Sequence, residues 1–164
     1  MHTPTPPASS RRSFLRATVG AALGGPLLLS SLRAAGGDRR FLYAAVPGIR
    51  NYLERGGHGV VVFDIDRGHS FVRRIPARGL GDDGKPLNVK GVVASAATGR
   101  LYVSTLKFVT CFDLLTDRIL WEREYEGGCD RMALSPDGKV MYLPSLEKDH
   151  WHIVNAPTGA IIRR

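Results

Sequence analysis

Helical periodicity is largely missing from this sequence. After residue 40, no window repeats apolar residues at the i, i+3, i+4 and i+7 spacing of an amphipathic helix. Short runs rich in Val, Ile, Phe and Tyr stand there instead, separated by Gly, Asp, Pro, Asn and Ser. The missing periodicity argues against a helical domain, and the short runs predict an all-β one.

A long apolar run is missing as well. The best candidate, residues 17–32, is interrupted by Gly24, Gly25 and Pro26, whereas a membrane-spanning helix needs about 20 mostly apolar residues. We interpret the run as the apolar part of a signal peptide, with an uncleaved anchoring N-terminus as the alternative. We expect no membrane span once the signal is removed.

Acidic residues are absent from the first 35 positions, which hold four arginines and therefore carry +4 of the formal net charge of +8. The remaining residues carry 19 basic side chains (23 less those four) and 15 acidic ones, which is again +4. Half of the excess positive charge thus belongs to the leader. A nucleic-acid partner is therefore not expected.

The leader contains the stretch "SSRRSFLR", residues 9–16, in which Arg11 and Arg12 are followed by Phe14 and Leu15. It resembles a twin-arginine export signal. The resemblance implies that the chain is exported already folded, to the periplasm or outside the cell. We expect residues 1–35 to form the signal peptide and residues 36–164 the mature domain.

Cysteine is scarce, with only Cys111 and Cys129 in the chain. Export would permit a disulfide between them, but folding before export argues against dependence on one. Cys111 lies in an apolar run and is expected to be a buried thiol. Cys129, preceded by two glycines, is interpreted either as a reactive thiol or as an ordinary loop cysteine.

Eleven short runs after residue 40 are predicted strands: 41–46, 59–65, 71–75, 89–96, 100–104, 108–114, 118–125, 131–135, 139–145, 151–155 and 159–164. They repeat. When residues 92–124 are laid on 132–164, Tyr102 falls on Tyr142 and Asp113 on Asn155. Each copy predicts a four-stranded antiparallel meander of roughly 40 residues, the pattern of a β-propeller blade.

An earlier copy places Tyr43 and Asp64 at the same two points, although it has no clear innermost strand. The stretches "LSPDGKVMYLPS" (134–145) and "HIVNAPTGAII" (152–162) resemble the YVTN-type propeller repeat, which occurs in seven-bladed exported proteins related to quinoprotein dehydrogenase and lactonase propellers. The resemblance covers residues 41–164. It implies blades at about 41–76, 89–125 and 129–164, as parts of an incomplete seven-bladed propeller.

Closed propellers typically have four to eight blades, more than this sequence supplies. Three interpretations stay open: a fragment that lacks further C-terminal blades, a short protein that closes by oligomerising, and a compact sheet protein of another kind. An open stack of blades exposes two apolar faces, which favours assembly.

Propeller topology places the short turns on one face and the longer connections on the other. Long charged loops on a rigid scaffold are the usual place for binding. The candidate ligand-binding residues are therefore those of the longer connections: Arg50, His58, Cys129, Asp130, Arg131, Lys148 and His150.

Two of these groups suggest specific chemistry. Asp130 and Arg131 are predicted to start an innermost strand near the central channel, where the pair could orient a carboxylate or polarise a carbonyl. The alternative is a salt bridge within the loop. His150 and His152 could share a metal, with His58 as a third ligand. The alternative is ordinary hydrogen bonding, with Trp151 packed between blades.

Three functions stay open from the sequence. The preferred one is an exported, non-catalytic propeller module that binds a small molecule or a partner protein on its long-loop face. The resemblance implies a second, a fragment of a quinoprotein-type oxidoreductase or of a lactonase-like enzyme. The third is a structural assembly module. No spacing supports a Ser-His-Asp arrangement, and no pattern identifies a cofactor.

Overall fold

The computed structural model describes residues 39–48 and 57–164. The predicted signal residues Arg11, Arg12, Phe14 and Leu15 lie outside these ranges, and so does the candidate residue Arg50. In the described part of the chain, no helix has the length and hydrophobicity to cross a bilayer.

Within these two ranges, eleven strands form three antiparallel sheets, each a meander of strands that are consecutive in the chain. The first sheet holds β1 (Phe41–Pro47), β2 (His58–Asp64) and β3 (Ser70–Ile75). The second holds β4 (Val89–Ser95), β5 (Arg100–Thr105), β6 (Phe108–Asp113) and β7 (Ile119–Glu124). The third holds β8 (Ala133–Leu134), β9 (Val140–Pro144), β10 (Trp151–Asn155) and β11 (Ala160–Arg163). A 3-10 turn, Ile65–Arg67, follows β2.

The innermost strand of the third sheet is shorter than predicted. Only Ala133 and Leu134 pair with β9, so Asp130 and Arg131 precede the strand, and the prediction that they start it is wrong. The backbone nitrogen of Asp130 still donates to the Pro144 oxygen, at 3.1 Å. This isolated hydrogen bond ties the loop to β9 without extending the ladder.

Side chains of the repeat close the short outer turns, which join the third and fourth strands of a blade. Asp113 Oδ1 accepts hydrogen bonds from the backbone nitrogen and the hydroxyl of Thr116, both at 2.8 Å. Asn155 Oδ1 accepts the same pair from Thr158, at 3.2 and 2.9 Å. Short polar side chains that bond the backbone a few residues on are typical turn formers. The alignment of Asp113 with Asn155 is therefore confirmed as a structural equivalence.

The core lies between the sheets. Val60 and Val62 of the first sheet pack with Leu101, Val103 and Phe112 of the second. The opposite face of the second sheet packs on the third in a separate cluster, which includes Tyr102, Val109, Cys111, Met141, Leu143 and Val154. Side chains that alternate along a strand point to opposite faces of its sheet, so the middle sheet contributes to both clusters.

Candidate functional site

Two connections on the long-loop side are tied together at one carbonyl oxygen. The Gly127 oxygen accepts hydrogen bonds from the backbone nitrogens of Leu146 and Glu147, both at 2.9 Å. It also accepts one from the hydroxyl of Ser145, at 2.9 Å. Three donors on one acceptor hold the connection after β7 against the connection after β9. We call these two connections, residues 125–131 and 145–150, the rim loops.

Two successive glycines make this junction feasible. Gly127 and Gly128 have φ values of 76° and 74°, in the left-handed region that favours glycine. A Cβ atom on Gly128 would stand 2.6 Å from the carbonyl oxygen of Leu106. The "GG" of the sequence therefore serves a close approach of backbones as well as a turn.

Five of the seven candidate ligand-binding residues lie in the rim loops: Cys129, Asp130, Arg131, Lys148 and His150. Asp130 and Arg131 form an ion pair with 3.4 Å between Oδ1 and Nη1, and the Arg131 side chain is 77% exposed. Such an exposed pair contributes little to stability. Asp130 and Arg131 thus form the salt bridge within the loop that was the alternative interpretation, and the Arg131 guanidinium is still exposed to solvent. Lys148 is also exposed, and the path of its aliphatic stem passes close to Gly127.

His150 and His152 lie edge to face, with 4.8 Å between the ring centroids. His152 is fully buried, and its Nε2 lies 3.0 Å from the Glu126 oxygen. Two buried ring nitrogens, Nδ1 of His152 and Nε2 of His150, have no hydrogen-bond partner among the described residues. Two unpaired and buried polar atoms thus lie at the end of the second rim loop and at the start of β10.

His58 does not join this pair. It is the first residue of β2 in the first sheet, and its Nε2 lies 2.7 Å from the Leu87 oxygen. Within residues 39–48 and 57–164, no group of three or more His, Cys, Asp or Glu side chains is placed to hold a metal ion. The structure therefore does not assemble the three-histidine metal site, because the third ligand is engaged in another sheet.

Cys129 is not an accessible thiol. Its side chain is fully buried, and its Sγ donates to the Lys107 oxygen at 3.3 Å. Burial, followed by the nearby charge of Glu124, raises the pKa of this thiol to about 12. Because thiolates are the reactive form, the reactive-thiol interpretation and the role of Cys129 as a ligand contact are both corrected. Both cysteines are free, and Cys111 is buried as predicted.

A small cavity of about 270 Å³ opens beside the rim loops. Its lining includes Lys107, Glu124, Gly127, Leu146 and Glu147. The Lys107 ammonium lies 3.0 and 3.1 Å from the two carboxylate oxygens of Asp82, and this hydrogen bonding raises the pKa of Lys107. Ligand pockets usually measure about 300–1,000 Å³, so this one suits a small ligand or one inserted side chain.

The lining adds Lys107 and Glu147 to the site. Neither is one of the seven candidate ligand-binding residues named from the sequence. The signal that could have found them is their position in the connections after β5 and β9, on the long-loop side.

A larger cleft, of about 570 Å³, runs between the outer strands β7 and β11. Two hydrogen bonds bridge the sheets there: Arg123 Nε donates to the Thr158 oxygen at 2.9 Å, and the Tyr125 hydroxyl donates to the Gly159 oxygen at 2.7 Å. These groups are engaged in holding the sheets together. We therefore place the candidate site at the rim loops rather than in the larger cleft.

No family model matches this chain, and no curated protein does. Solved structures do. The chain is similar to the dihydro-heme d1 dehydrogenase NirN in complex with DHE, with a TM-score of 0.54 and 19% identity over 75% of this chain. It is also similar to Saccharomyces cerevisiae Sqt1, with a TM-score of 0.55 and 11% identity over 74% of this chain. A third similar structure is the β-propeller domain of Myceliophteria thermophila Cps50 (Swd1), with a TM-score of 0.54 and 16% identity over 76%.

These similarities establish the fold. The three meanders are blades of a β-propeller, as the repeat predicts. The chain spans 23% of the length of the NirN chain and 35% of each of the other two. The described sheets thus correspond to part of a propeller, and the fold alone does not select an activity.

Proposed function

We infer that this chain is an exported β-propeller module that binds a small molecule or a partner protein at its rim loops. One observation carries the proposal: the buried nitrogens of His150 and His152 have no partner among the described residues. A buried polar atom left unpaired costs about 1–3 kcal/mol. Folded proteins usually satisfy such atoms with water or a bound group.

The surroundings of the two histidines support this proposal. Three hydrogen bonds to the Gly127 oxygen join the rim loops, so a ligand would meet loops that are already held together, which lowers the entropic cost of binding. Exposed Arg131 and Lys148 lie in the same loops. They would supply charged contacts at the edge of the site.

The leader and the repeat complete the proposal. Arg11, Arg12, Phe14 and Leu15 resemble a twin-arginine signal, which supports export to the periplasm or outside the cell. The YVTN-type resemblance supports an exported propeller. Neither resemblance selects a ligand, so the binding is assigned by location and not by chemical class.

The location can be tested in producing cells with a photo-crosslinking residue at Lys148 and, as a control, at Asp137 in the inner turn of the third blade. Binding at the rim predicts crosslinked species from position 148 and none from position 137. Equal crosslinking from both positions would contradict the proposed location.

A small-molecule ligand would appear as added mass in native mass spectrometry of the purified chain. That mass should be lost in His150→Phe, which keeps a flat aromatic ring but removes both nitrogens. It should persist in the control Lys139→Ala. If neither crosslinks nor added mass are found, the binding function is refuted.

The second candidate, a quinoprotein-type oxidoreductase, predicts a different result. A cofactor that absorbs visible light would then copurify with the folded chain. One similar structure is a dehydrogenase, but its 19% identity supports the fold only.

A further inference from the structure

The three sheets share one register, which makes their surfaces directly comparable. Tyr43, Tyr102 and Tyr142 are each the third residue of the strand that carries them: β1, β5 and β9. All three therefore point to the same side of their sheets. We call this side the tyrosine face.

The preceding residue of each strand points to the opposite side. These residues are Leu42, Leu101 and Met141, and we call this side the aliphatic face. Every sheet thus has one tyrosine face and one aliphatic face.

Both interfaces inside the chain follow one rule. Tyr102 of the second sheet packs in a cluster with Met141 and Leu143 of the third. Tyr43 of the first sheet packs against the cluster that contains Leu101 and Val103 of the second. In each case, the tyrosine face of one sheet covers the aliphatic face of the next.

Large side chains are exposed on both end faces of the stack, although Val61, on the aliphatic face of the first sheet, is only 3% exposed. Tyr102 and Leu101 are fully buried between sheets, whereas Tyr142 is 42% exposed and Leu42 is 45% exposed. On the tyrosine face of the third sheet, Trp151 is 54% exposed. The expectation that Trp151 packs between blades is thus wrong for the described chain, because no described sheet covers this face.

More apolar side chains extend both end faces. Ile153 pairs with Tyr142 across β9 and β10, so it lies on the tyrosine face. Phe63 pairs with Leu42 across β1 and β2, so it lies on the aliphatic face, where its ring meets Phe71 edge to face at 6.1 Å. Exposed apolar side chains grouped in this way are typical of an interaction site.

We propose that the tyrosine face of the third sheet binds the aliphatic face of the first sheet of a second copy of this chain. The contact would repeat the packing already present twice within the chain. It is heterologous, since two different surfaces meet, and such contacts form rings when the rotation closes. The described sheets of two copies number six, within the four to eight of closed propellers. The expected assembly is a closed dimer.

The occupant follows from the shape of the faces. Inside the chain, each tyrosine face packs against the aliphatic face of the next sheet. The first sheet carries an aliphatic face on which Leu42 is exposed. This assembly is independent of ligand binding at the rim loops, so either proposal can fail alone.

The test is the mass of the full 164-residue chain in solution, measured by light scattering or sedimentation over a micromolar dilution series. The wild type is expected at twice the mass of one chain. Tyr142→Lys and Leu42→Lys should each shift it to the mass of one chain, because each destroys one of the two faces. Leu115→Lys is the matched control: Leu115 is 84% exposed in an outer turn, and its replacement should leave the dimer intact.

Mixing the two disruptive variants gives the sharpest outcome. The Tyr142→Lys chain keeps its aliphatic face and the Leu42→Lys chain keeps its tyrosine face, so together they should regain one contact and a two-chain species. Circular dichroism and thermal unfolding verify that each variant is folded. A monomeric wild type, an oligomer that neither substitution changes, or a mixture of folded variants that stays monomeric would overturn the proposal.

Discussion

The guanidinium of Arg73 in β3 donates to both carboxylate oxygens of Asp117, at 2.6 and 2.9 Å. This bidentate pair joins the first sheet to the outer turn of the second. Hydrogen bonding to Asp117 raises the pKa of Arg73. Asp117 has a φ of 57°, a left-handed conformation that Asp tolerates better than most residues. Both side chains are about 30% exposed (30% and 29%), so solvent screens the pair only in part.

We predict a measurable coupling between Arg73 and Asp117. In a double-mutant cycle with Arg73→Met and Asp117→Asn, the coupling free energy from urea unfolding should be about 1 kcal/mol. This value lies between the coupling energy of an exposed ion pair and that of a buried bidentate pair. Arg78→Met, at an exposed arginine outside the strands, should change stability by less than about 0.5 kcal/mol. Fully additive effects would show that the sheets do not depend on this pair.

Gly128→Ala should destabilise the chain more than Gly84→Ala. The two glycines have nearly the same φ, 74° and 73°, so both substitutions carry the left-handed strain of roughly 1–2 kcal/mol. Only the Cβ at position 128 meets a backbone oxygen, at 2.6 Å, while that at position 84 meets no atom within 4 Å. Overpacking should add about 1–3 kcal/mol at position 128. Equal unfolding midpoints for the two variants would refute this account of the rim loops.

Tyr125→Phe should cost about 1–3 kcal/mol. Its buried hydroxyl donates to the Gly159 oxygen at 2.7 Å across two sheets, and removal leaves that acceptor without this donor. Leu115→Ala, at a side chain that is 84% exposed, is the control and should be nearly neutral. Thermal unfolding measures the loss of stability in both variants, and comparable losses would contradict the assigned hydrogen bond.

Both thiols should be unreactive in the folded chain. Burial raises the pKa of Cys111 to about 11 and that of Cys129 to about 12, well above the ordinary thiol value of about 8.5. Near neutral pH, Ellman's reagent should therefore detect no thiol until denaturant is added, and then two per chain. Rapid labelling of Cys129 in the native state would restore the reactive-thiol interpretation.

Acid should weaken the turns capped by Asp113 and Asp137. Hydrogen bonds from Thr116 and Ser135, respectively, lower the pKa values of these carboxyls. Their stabilisation is thus complete above the ordinary Asp pKa of about 3.9 and is lost as the pH falls through the lowered values. The double variant Asp113→Asn, Asp137→Asn should flatten the acid limb of a plot of unfolding midpoint against pH.

Leu80→Asn, which removes no carboxyl and lies at a side chain that is 62% exposed, is the control for this titration. It should leave the acid limb as it is in the wild type. An unchanged acid limb in the double variant would mean that other carboxylates cause the loss of stability in acid.

Much of the fold can be predicted from local patterns. The strand predicted at 151–155 is found as Trp151–Asn155, and the other predicted strands apart from 131–135 are found within one residue at each end. Alternating apolar residues and turn formers produce this agreement, because both act over a few neighbouring residues. The strand predicted at 131–135 shrinks to Ala133–Leu134, because the pairing of its ends depends on β9 and the rim loops.

The site was harder to predict, since it depends on contacts between distant segments. Cys129 lies in a connection, yet it is bonded to the preceding sheet. Its backbone nitrogen donates to the Leu106 oxygen and its thiol to the Lys107 oxygen. His58 was grouped with His150 and His152, but its ring is bonded to Leu87 in another part of the chain. Spacing along the sequence carries no information about either partner.

The sequence by itself determined the blade: its strands, its turns and the repeat that places Tyr102 and Tyr142 at equivalent points. These follow from backbone preferences and from the two-residue alternation of side chains. Only the tertiary structure decided that Tyr102 is buried while Tyr142 is 42% exposed, and that the two rim loops are joined at the Gly127 oxygen. Burial depends on which sheet covers a face, and identical local patterns have different neighbours at the middle and at the end of a stack.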